Sequence, residues 1–182
     1  MNKESALKVL ERIEGTLIAD LRSLMTIAEE RSDSVSLQEK LPGGFNYLLH
    51  ISALIACETL GYILKKGAQE GRSEVNIRYF ILSEYFKEDA YKKENYLNAL
   101  TSLRTNLAHV FGMTDLALDS VTTDISLCVG GVKKPPLLSE KGLIKLNGVK
   151  LVDEVIKGFE LVKEKLISQQ DPKLIEIINE KT

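Results

Sequence analysis

One stretch organises this chain: Leu103-Arg104-Thr105-Asn106-Leu107-Ala108-His109-Val110-Phe111. It closes a long helical pattern, and Gly112 follows where a helix can end in a left-handed turn. At roughly 100° per residue, the apolar side chains of this pattern fall on one face and short polar side chains fall on the other. The sequence therefore predicts a helix with one side against a core and one side open.

The polar face of this helix has a distinctive composition. Its members are Glu94, Asn95, Asn98, Thr101, Ser102, Thr105, Asn106 and His109. Exposed helix faces commonly carry Lys and Glu, whose long stems suit open water. From Asn95 to His109 the face carries neither, and His109 lies near its middle. Because short uncharged side chains let another molecule approach closely, the face is typical of a surface that meets a ligand or a second chain.

The rest of the chain is mostly helical in pattern. Apolar residues recur at steps of three and four, which places them on one face of a helix. This spacing predicts helices over residues 5–31, 45–66, 74–86, 91–111 and 149–168, and a short one over 174–179. A chain of 182 residues commonly forms one core, and no internal repeat divides this one. We therefore predict a single domain, 1–182.

A region with strand character lies before the last long helix. Residues 125–129 alternate like a short strand that ends at Gly130-Gly131, and residues 143–146 form a second candidate before Asn147-Gly148. These features predict a small β-hairpin within 124–147. The expected fold class is mainly α: a bundle of about five helices with a small β-hairpin inserted before the last long helix.

The segment Phe45–Leu64 is apolar enough to raise the question of a membrane span. His50 and Glu58 would be costly within a bilayer, and the first predicted helix has an ordinary polar face. A helix that is apolar nearly all round is also typical of the central member of a bundle. We therefore expect a bundle helix and no membrane partner.

Charge and cysteine content limit the function classes. A formal net charge of −2 disfavours binding of nucleic acid by bulk electrostatics, so any RNA contact must be local. The first residues have no apolar signal region, and Cys57 and Cys128 lie in separate elements, which favours a cytoplasmic location with reduced thiols. Two Cys and two His scattered in this way form no zinc-ligand pattern. We expect neither a metal nor a cofactor.

Arg104 and His109 are the residue types that metal-free RNA cleavage requires. Histidine titrates near neutral pH and can take a proton from a 2′-hydroxyl group. The planar fork of arginine can stabilise charge that builds on phosphoryl oxygens. Five helical residues place the two roughly 140° apart. A two-fold dimer that brings His109 of one copy beside Arg104 of the other would solve this geometry.

The run Arg104-Thr105-Asn106-Leu107-Ala108-His109 resembles the arginine–histidine motif of the HEPN superfamily, in which four to six residues separate the two. The helical layout is similar to that of the family, a bundle of four or five helices with the motif near the end of a late helix. The family commonly has asparagine directly after the arginine, whereas this chain has Thr105 there and Asn106 one position later. The resemblance implies a metal-independent endoribonuclease, often a toxin or defence protein, with a site at a dimer interface.

On this resemblance, Arg104 and His109 are the expected catalytic residues. Asn106, Thr105 and Ser102 share the polar face and are expected to bind substrate, and Glu58 is expected to orient Arg104 if it points at the motif helix. The implied partners are a second copy of the chain, RNA and an inhibitory protein.

Other interpretations stay open at this point. A histidine near a helix C-terminus and an arginine at the edge of a bundle are also common structural devices. The chain could be a non-catalytic HEPN-like scaffold that holds RNA, a nucleotide or a protein, or a module whose polar face docks a partner helix. His50 and Glu58 could instead form a buried hydrogen-bonded pair.

Overall fold

The computed structural model is mainly α, as predicted. It describes residues 3–32, 43–69, 71–109, 116–118, 121–128, 137–140, 143–168 and 171–181, and the side chains of 3–28, 47–69, 71–105, 146–168 and 171–181. The helices are α1 Lys3–Ile13, α2 Ala19–Ser32, α3 Gly43–Leu64, α4 Ser73–Leu82, α5 Glu94–His109, α6 Gly148–Ser168 and α7 Pro172–Asn179. A π-helical turn, Glu14–Ile18, joins α1 to α2, and a 3-10 turn, Asp89–Lys92, precedes α5. All six helices predicted from periodicity are present.

The β region before α6 is larger than the predicted hairpin. It contains β1 Leu116–Leu118, β2 Val121–Cys128, β3 Leu137–Glu140 and β4 Leu143–Asn147, in the sheet order β1-β2-β4-β3. Both predicted strands exist, but β2 and β4 pair in parallel, with Ile125 opposite Ile144. Parallel neighbours need a crossover connection, and here β3 lies in that connection and makes the antiparallel pair with β4. The pairing inferred for a hairpin of β2 and β4 was therefore wrong.

The helix α3 lies at the centre of the bundle and packs against α2, α4, α5, α6 and α7. Within Tyr47–Leu64, the segment long and apolar enough to cross a membrane, 56% of the residues are buried within the protein. Leu49, Leu54 and Leu60 are fully buried. A helix that is apolar nearly all round is buried in this way when it is the central member of a bundle, because its neighbours cover it on several sides.

The backbones of α3 and α4 approach closely at Gly61. An added Cβ atom at this glycine would lie 1.8 Å from the backbone oxygen of Asn76, which is on α4. A hydrogen atom is the only side chain that fits there, so Gly61 allows α4 to lie directly on α3. This contact brings the first turns of α4 beside Glu58, one helical turn before Gly61.

Candidate functional site

The guanidinium group of Arg104 on α5 pairs with the carboxylate of Glu58 on α3. Its Nε atom donates a hydrogen bond to Oε2 of Glu58 at 3.1 Å, and its Nη2 atom lies 3.1 Å from the same oxygen. The side chains are 21% and 20% exposed, so the pair is largely covered but reaches the surface. Glu58 therefore points at the motif helix, which was the condition for its expected role in orienting Arg104.

A third element, α4, also holds the Glu58 carboxylate. The hydroxyl group of Ser73, the first residue of α4, donates to Oε1 of Glu58 at 2.6 Å. Glu58 thus joins the middle of α3, the start of α4 and the last turns of α5 through one side chain. Because both of its oxygens have partners, the carboxylate has little freedom to rotate, and it fixes the direction in which Arg104 extends.

Arg104 lies at the edge of a surface pocket of about 280 Å³. One wall is a line of α3 side chains, and the remaining walls come from the loop before α4, from α4 and from α5. The lining residues are Ile55, Glu58, Thr59, Tyr62, Gly71, Asn76 and Arg104. Within the part of the chain whose side chains are described, the Nη1 atom of Arg104 has no hydrogen-bond partner, so one edge of the guanidinium can receive an anion.

Asn76, one of the lining residues, has a buried polar atom without a partner among the described residues. Its side chain is 2% exposed, and its Nδ2 atom donates to the backbone oxygen of Gln69 at 3.4 Å. Its Oδ1 atom is buried and has no hydrogen-bond partner among the described residues. A buried acceptor without a donor costs on the order of 1–3 kcal/mol, so native structures seldom leave one without a reason.

The polar face of α5 divides between the protein interior and the surface. Asn98 accepts a hydrogen bond from Nη2 of Arg78 on α4, and Thr101 is 5% exposed with its hydroxyl group bonded to the backbone oxygen of Leu97 at 3.0 Å. Asn95 and Thr105 are exposed, and Ser102 is half-buried. The predicted open face is therefore narrower than the sequence indicated, because Asn98 bonds to Arg78 on α4 and Thr101 is buried.

The second half of the motif lies at the end of the described helix. Helix α5 runs to His109, so positions 104 and 109 belong to one continuous α-helix, and the angle of roughly 140° between them holds for the backbone. The side chains of Asn106 and His109 lie outside the residues whose side chains the structure describes. The expected roles of both residues remain predictions.

His50 and Glu58 do not form one unit. The ring Nε2 atom of His50 lies 3.2 Å from the backbone oxygen of Leu146 in β4, whereas Glu58 contacts Arg104 and Ser73. Eight residues separate the two positions, which is about 12 Å along the helix axis. His50 is fully buried and connects α3 to the end of the sheet, so its role is in packing.

Two ionic clusters were not anticipated. Arg78 donates to both oxygens of Glu94, at 2.8 and 3.2 Å, and to Glu74 at 3.3 Å. The hydrogen bonds with Glu94 raise the pKa of Arg78 and, in return, lower the pKa of Glu94. The spacing of four residues between Glu74 and Arg78 was the available sequence signal. Glu94 lies 16 residues after Arg78, so no local sequence pattern connects the two residues.

The second cluster lies at the start of α6. Lys150 donates to Glu154 at 3.0 Å and lies 3.6 Å from Asp153, which also accepts from Lys157 at 2.6 Å. Asp153 and Glu154 are 9% and 5% exposed. Their spacings of three and four residues are the helix-face pattern, but the sequence does not show that this face is buried. In the described residues, no three His, Cys, Asp or Glu side chains form a group that could hold a metal ion.

Comparisons with protein-family models, with curated proteins and with solved structures give no match to this chain.

Proposed function

We propose that this chain is a HEPN-like endoribonuclease that cleaves RNA without a metal ion at a site completed by a second copy. The supporting observation is that the guanidinium group of Arg104 is held in place and is only partly paired. Glu58 and Ser73 fix its position at the edge of a pocket, while one edge of its guanidinium is open to an anion. A prepositioned cation of this kind stabilises transition-state charge without reorganisation during the reaction.

In this proposal the 2′-hydroxyl group of the substrate attacks the adjacent phosphorus. His109 accepts the hydroxyl proton, the bond from the 2′-oxygen to phosphorus forms, and the bond from phosphorus to the 5′-oxygen breaks. An acid returns a proton to the leaving 5′-oxygen, so the products are a 2′,3′-cyclic phosphate and a free 5′-hydroxyl. Arg104 stabilises the phosphoryl oxygens. Asn106, Thr105 and Ser102 bind the RNA strand. General acid–base catalysis contributes about 10²–10⁴ in rate.

Exposed apolar side chains beside the Glu58–Arg104 pair support the dimer. Leu48 and Ile55 are 48% and 38% exposed, and Tyr62 continues the same line of α3 at intervals of seven residues. This line borders the pocket, so a second copy seated on it would lie next to Arg104. Because positions 104 and 109 diverge by roughly 140° on one helix, the histidine that meets each Arg104 would come from the other copy.

The test is an RNA cleavage assay with EDTA present. The wild type is compared with His109→Ala and Arg104→Ala, and Arg12→Ala, an exposed arginine on α1, serves as the matched control. Loss of cleavage in the first two variants, with the control unchanged and the helical circular dichroism retained, supports the enzyme. A wild type without EDTA-resistant cleavage rules it out, and so does a His109→Ala variant with full activity.

A second candidate is a non-catalytic scaffold that holds RNA, a nucleotide or a protein. The observation in its favour is that Arg104 already has a carboxylate partner within its own chain, which is sufficient for a structural role. A dimer that binds RNA without cleaving it would support this candidate. The first proposal also includes an inhibitory partner protein, which affinity capture would test. It includes a cytoplasmic location as well, which cell fractionation would test.

A further inference from the structure

A second pocket, of about 360 Å³, lies where the end of α4 meets α7. Its apolar walls are formed by Leu64, Tyr79, Leu82, Leu174 and Ile177. Tyr79 and Leu82 are 40% and 54% exposed, so a ligand with an apolar body would remove large apolar side chains from water. The volume is within the range of roughly 300–1,000 Å³ that is typical of small-molecule sites. No residue lines both this pocket and the one beside Arg104, so the two are separate.

The hydroxyl group of Tyr85 is a polar group that the chain leaves unpaired at this pocket. Tyr85 lines the pocket and is 7% exposed, and its hydroxyl group makes no hydrogen bond within the described part of the chain. The hydroxyl oxygen keeps some accessible surface, so a molecule in the pocket can reach it. Burial and the charges of Glu84 and Asp171 raise the pKa of Tyr85 to about 12, so at neutral pH the hydroxyl is uncharged and can accept a hydrogen bond.

The two charged residues that line this pocket, Glu84 and Asp171, are both acidic. Oε2 of Glu84 lies 2.6 Å from Nζ of Lys165, whose ammonium group is also 5.1 Å from the centroid of the Tyr85 ring. Oδ1 of Asp171 accepts from two backbone N–H groups at the start of α7, which carry no net charge. Its Oδ2 atom has no partner among the described residues, and no ammonium or guanidinium group there pairs with it. Lys165 therefore balances one of the two negative charges, and that of Asp171 is left without a counter-ion.

We propose that this pocket binds a small organic ammonium ion with a single positive charge. Its N–H groups donate to Oδ2 of Asp171 and to the hydroxyl oxygen of Tyr85, and its apolar body lies against Leu82 and Ile177. An ammonium group has only donors, which match these oxygens, whereas a ligand carboxylate would meet a like charge. The position of Lys165 over the Tyr85 ring shows that an ammonium group is compatible with this aromatic surface. The site is additional to the proposed ribonuclease site and does not depend on it.

Probes with matched carbon chains test the chemistry of the pocket. Hexylamine, hexan-1-ol, hexanoate and propylamine are titrated at neutral pH in phosphate buffer, and the ¹H–¹⁵N NMR shifts of the backbone amides of Ser83 and Leu174 report binding. An alkyl ammonium group, like that of lysine, has a pKa of about 10.4, so both amines are charged. We expect hexylamine to bind at least about tenfold more tightly than hexanoate, with hexan-1-ol between them. Propylamine should bind at least about tenfold more weakly than hexylamine, because each buried methylene group contributes about a factor of four.

Two variants test the polar contacts without removing the surrounding structure. Asp171→Asn removes the charge but keeps the helix cap, since asparagine caps helices as well as aspartate does. It should weaken the binding of hexylamine by at least about threefold and leave that of hexan-1-ol unchanged. Asp89→Asn, the same change at an exposed carboxylate outside the pocket, is the matched control and should bind like wild type. Tyr85→Phe keeps the ring and should weaken hexylamine by about threefold through the lost hydroxyl group.

Three results would overturn the proposal: no binding of hexylamine, equal binding of hexylamine and hexanoate, or an Asp171→Asn variant that binds hexylamine like wild type. Shifts confined to amides outside α4, α7 and the residues that follow α4 would overturn it as well. Arg104→Ala should bind hexylamine like wild type, since Arg104 does not line this pocket. A failure of the ribonuclease proposal therefore leaves the ammonium site standing, and a failure of the ammonium site leaves the ribonuclease proposal standing.

Discussion

The carboxylate of Glu58 on α3 holds two nitrogens of Arg104 on α5, each at 3.1 Å from one oxygen. Both side chains are about one-fifth exposed, so the pair lies between the weak surface ion pairs and the fully buried ones. We expect Glu58→Gln to lower the free energy of unfolding by about 1–2 kcal/mol, because it leaves the covered guanidinium without a counter-charge. A double-mutant cycle with Arg104→Met in urea would measure the coupling.

The control for this cycle is the ion pair of Lys8 with Glu4, whose side chains are 69% and 71% exposed. Glu4→Gln should change stability by less than about 0.5 kcal/mol, since exposed pairs of this kind contribute little. If the two carboxylate substitutions have equal effects, Glu58 does not hold Arg104 in solution, and the prepositioned cation in the proposed mechanism loses its basis.

Helix periodicity predicted the bundle well because each long helix buries a continuous face. The segment around Leu151 and Val155, for example, has its apolar residues at steps that a helix requires, and both are buried. The sheet was predicted less well. Residues 137–140 offer only four positions after two prolines, and pairing order between strands depends on contacts far apart in the chain, which local alternation does not encode.

The candidate site, like the fold, was predicted only in part from the sequence. Arg104 was identified from its place near a helix end, and Glu58 was considered as its partner only on the condition that it points at the motif helix, which the structure meets. The pocket was not predicted, since Asn76 and Tyr62 belong to it only after α4 lies on α3 at Gly61. Nothing in the spacing of these residues indicates that they meet.

Substitution at Gly61 tests the close approach that forms the pocket wall. An added methyl group would lie 1.8 Å from the backbone oxygen of Asn76, and backbone cannot move aside as a flexible side chain can. We expect Gly61→Ala to destabilise the protein by about 1–3 kcal/mol through overpacking. Gly15→Ala is the control, because no neighbouring atom lies within 4 Å of its added Cβ atom, and it should be neutral or slightly stabilising. Equal melting temperatures for the two variants would contradict the packing of α4 on α3.

The ammonium group of Lys150 provides the counter-charge for two nearly buried carboxylates at the start of α6, those of Asp153 and Glu154. Lys150→Met removes the ammonium group that contacts Glu154 and Asp153, which are nearly buried. In the variant the Glu154 carboxylate loses its ammonium partner, whereas Asp153 keeps its contact with Lys157 at 2.6 Å. We expect the free energy of unfolding to fall by about 2–3 kcal/mol, because a nearly buried carboxylate is left without a counter-charge. Urea unfolding of wild type and variant at neutral pH would measure the loss, and a change below about 0.5 kcal/mol would contradict it.

The contact between Arg78 and Glu94 predicts that stability depends on pH in the acidic range. Hydrogen bonds from Arg78 hold the pKa of Glu94 below its usual value in the folded protein. The contact with Arg78 therefore adds fully to the free energy of unfolding above the unfolded pKa of Glu94, about 4.3. This contribution is lost as the pH falls through the lower pKa of Glu94 in the folded protein. In thermal melts, wild type should exceed Glu94→Gln above about pH 5, and the two curves should converge as the pH falls below about 4. Glu11→Gln, at an exposed position on α1, controls for the general loss of carboxylate charge in acid. A gap between wild type and Glu94→Gln that persists at the lowest pH would contradict the prediction, because Glu94 is then uncharged and its charge cannot be the cause.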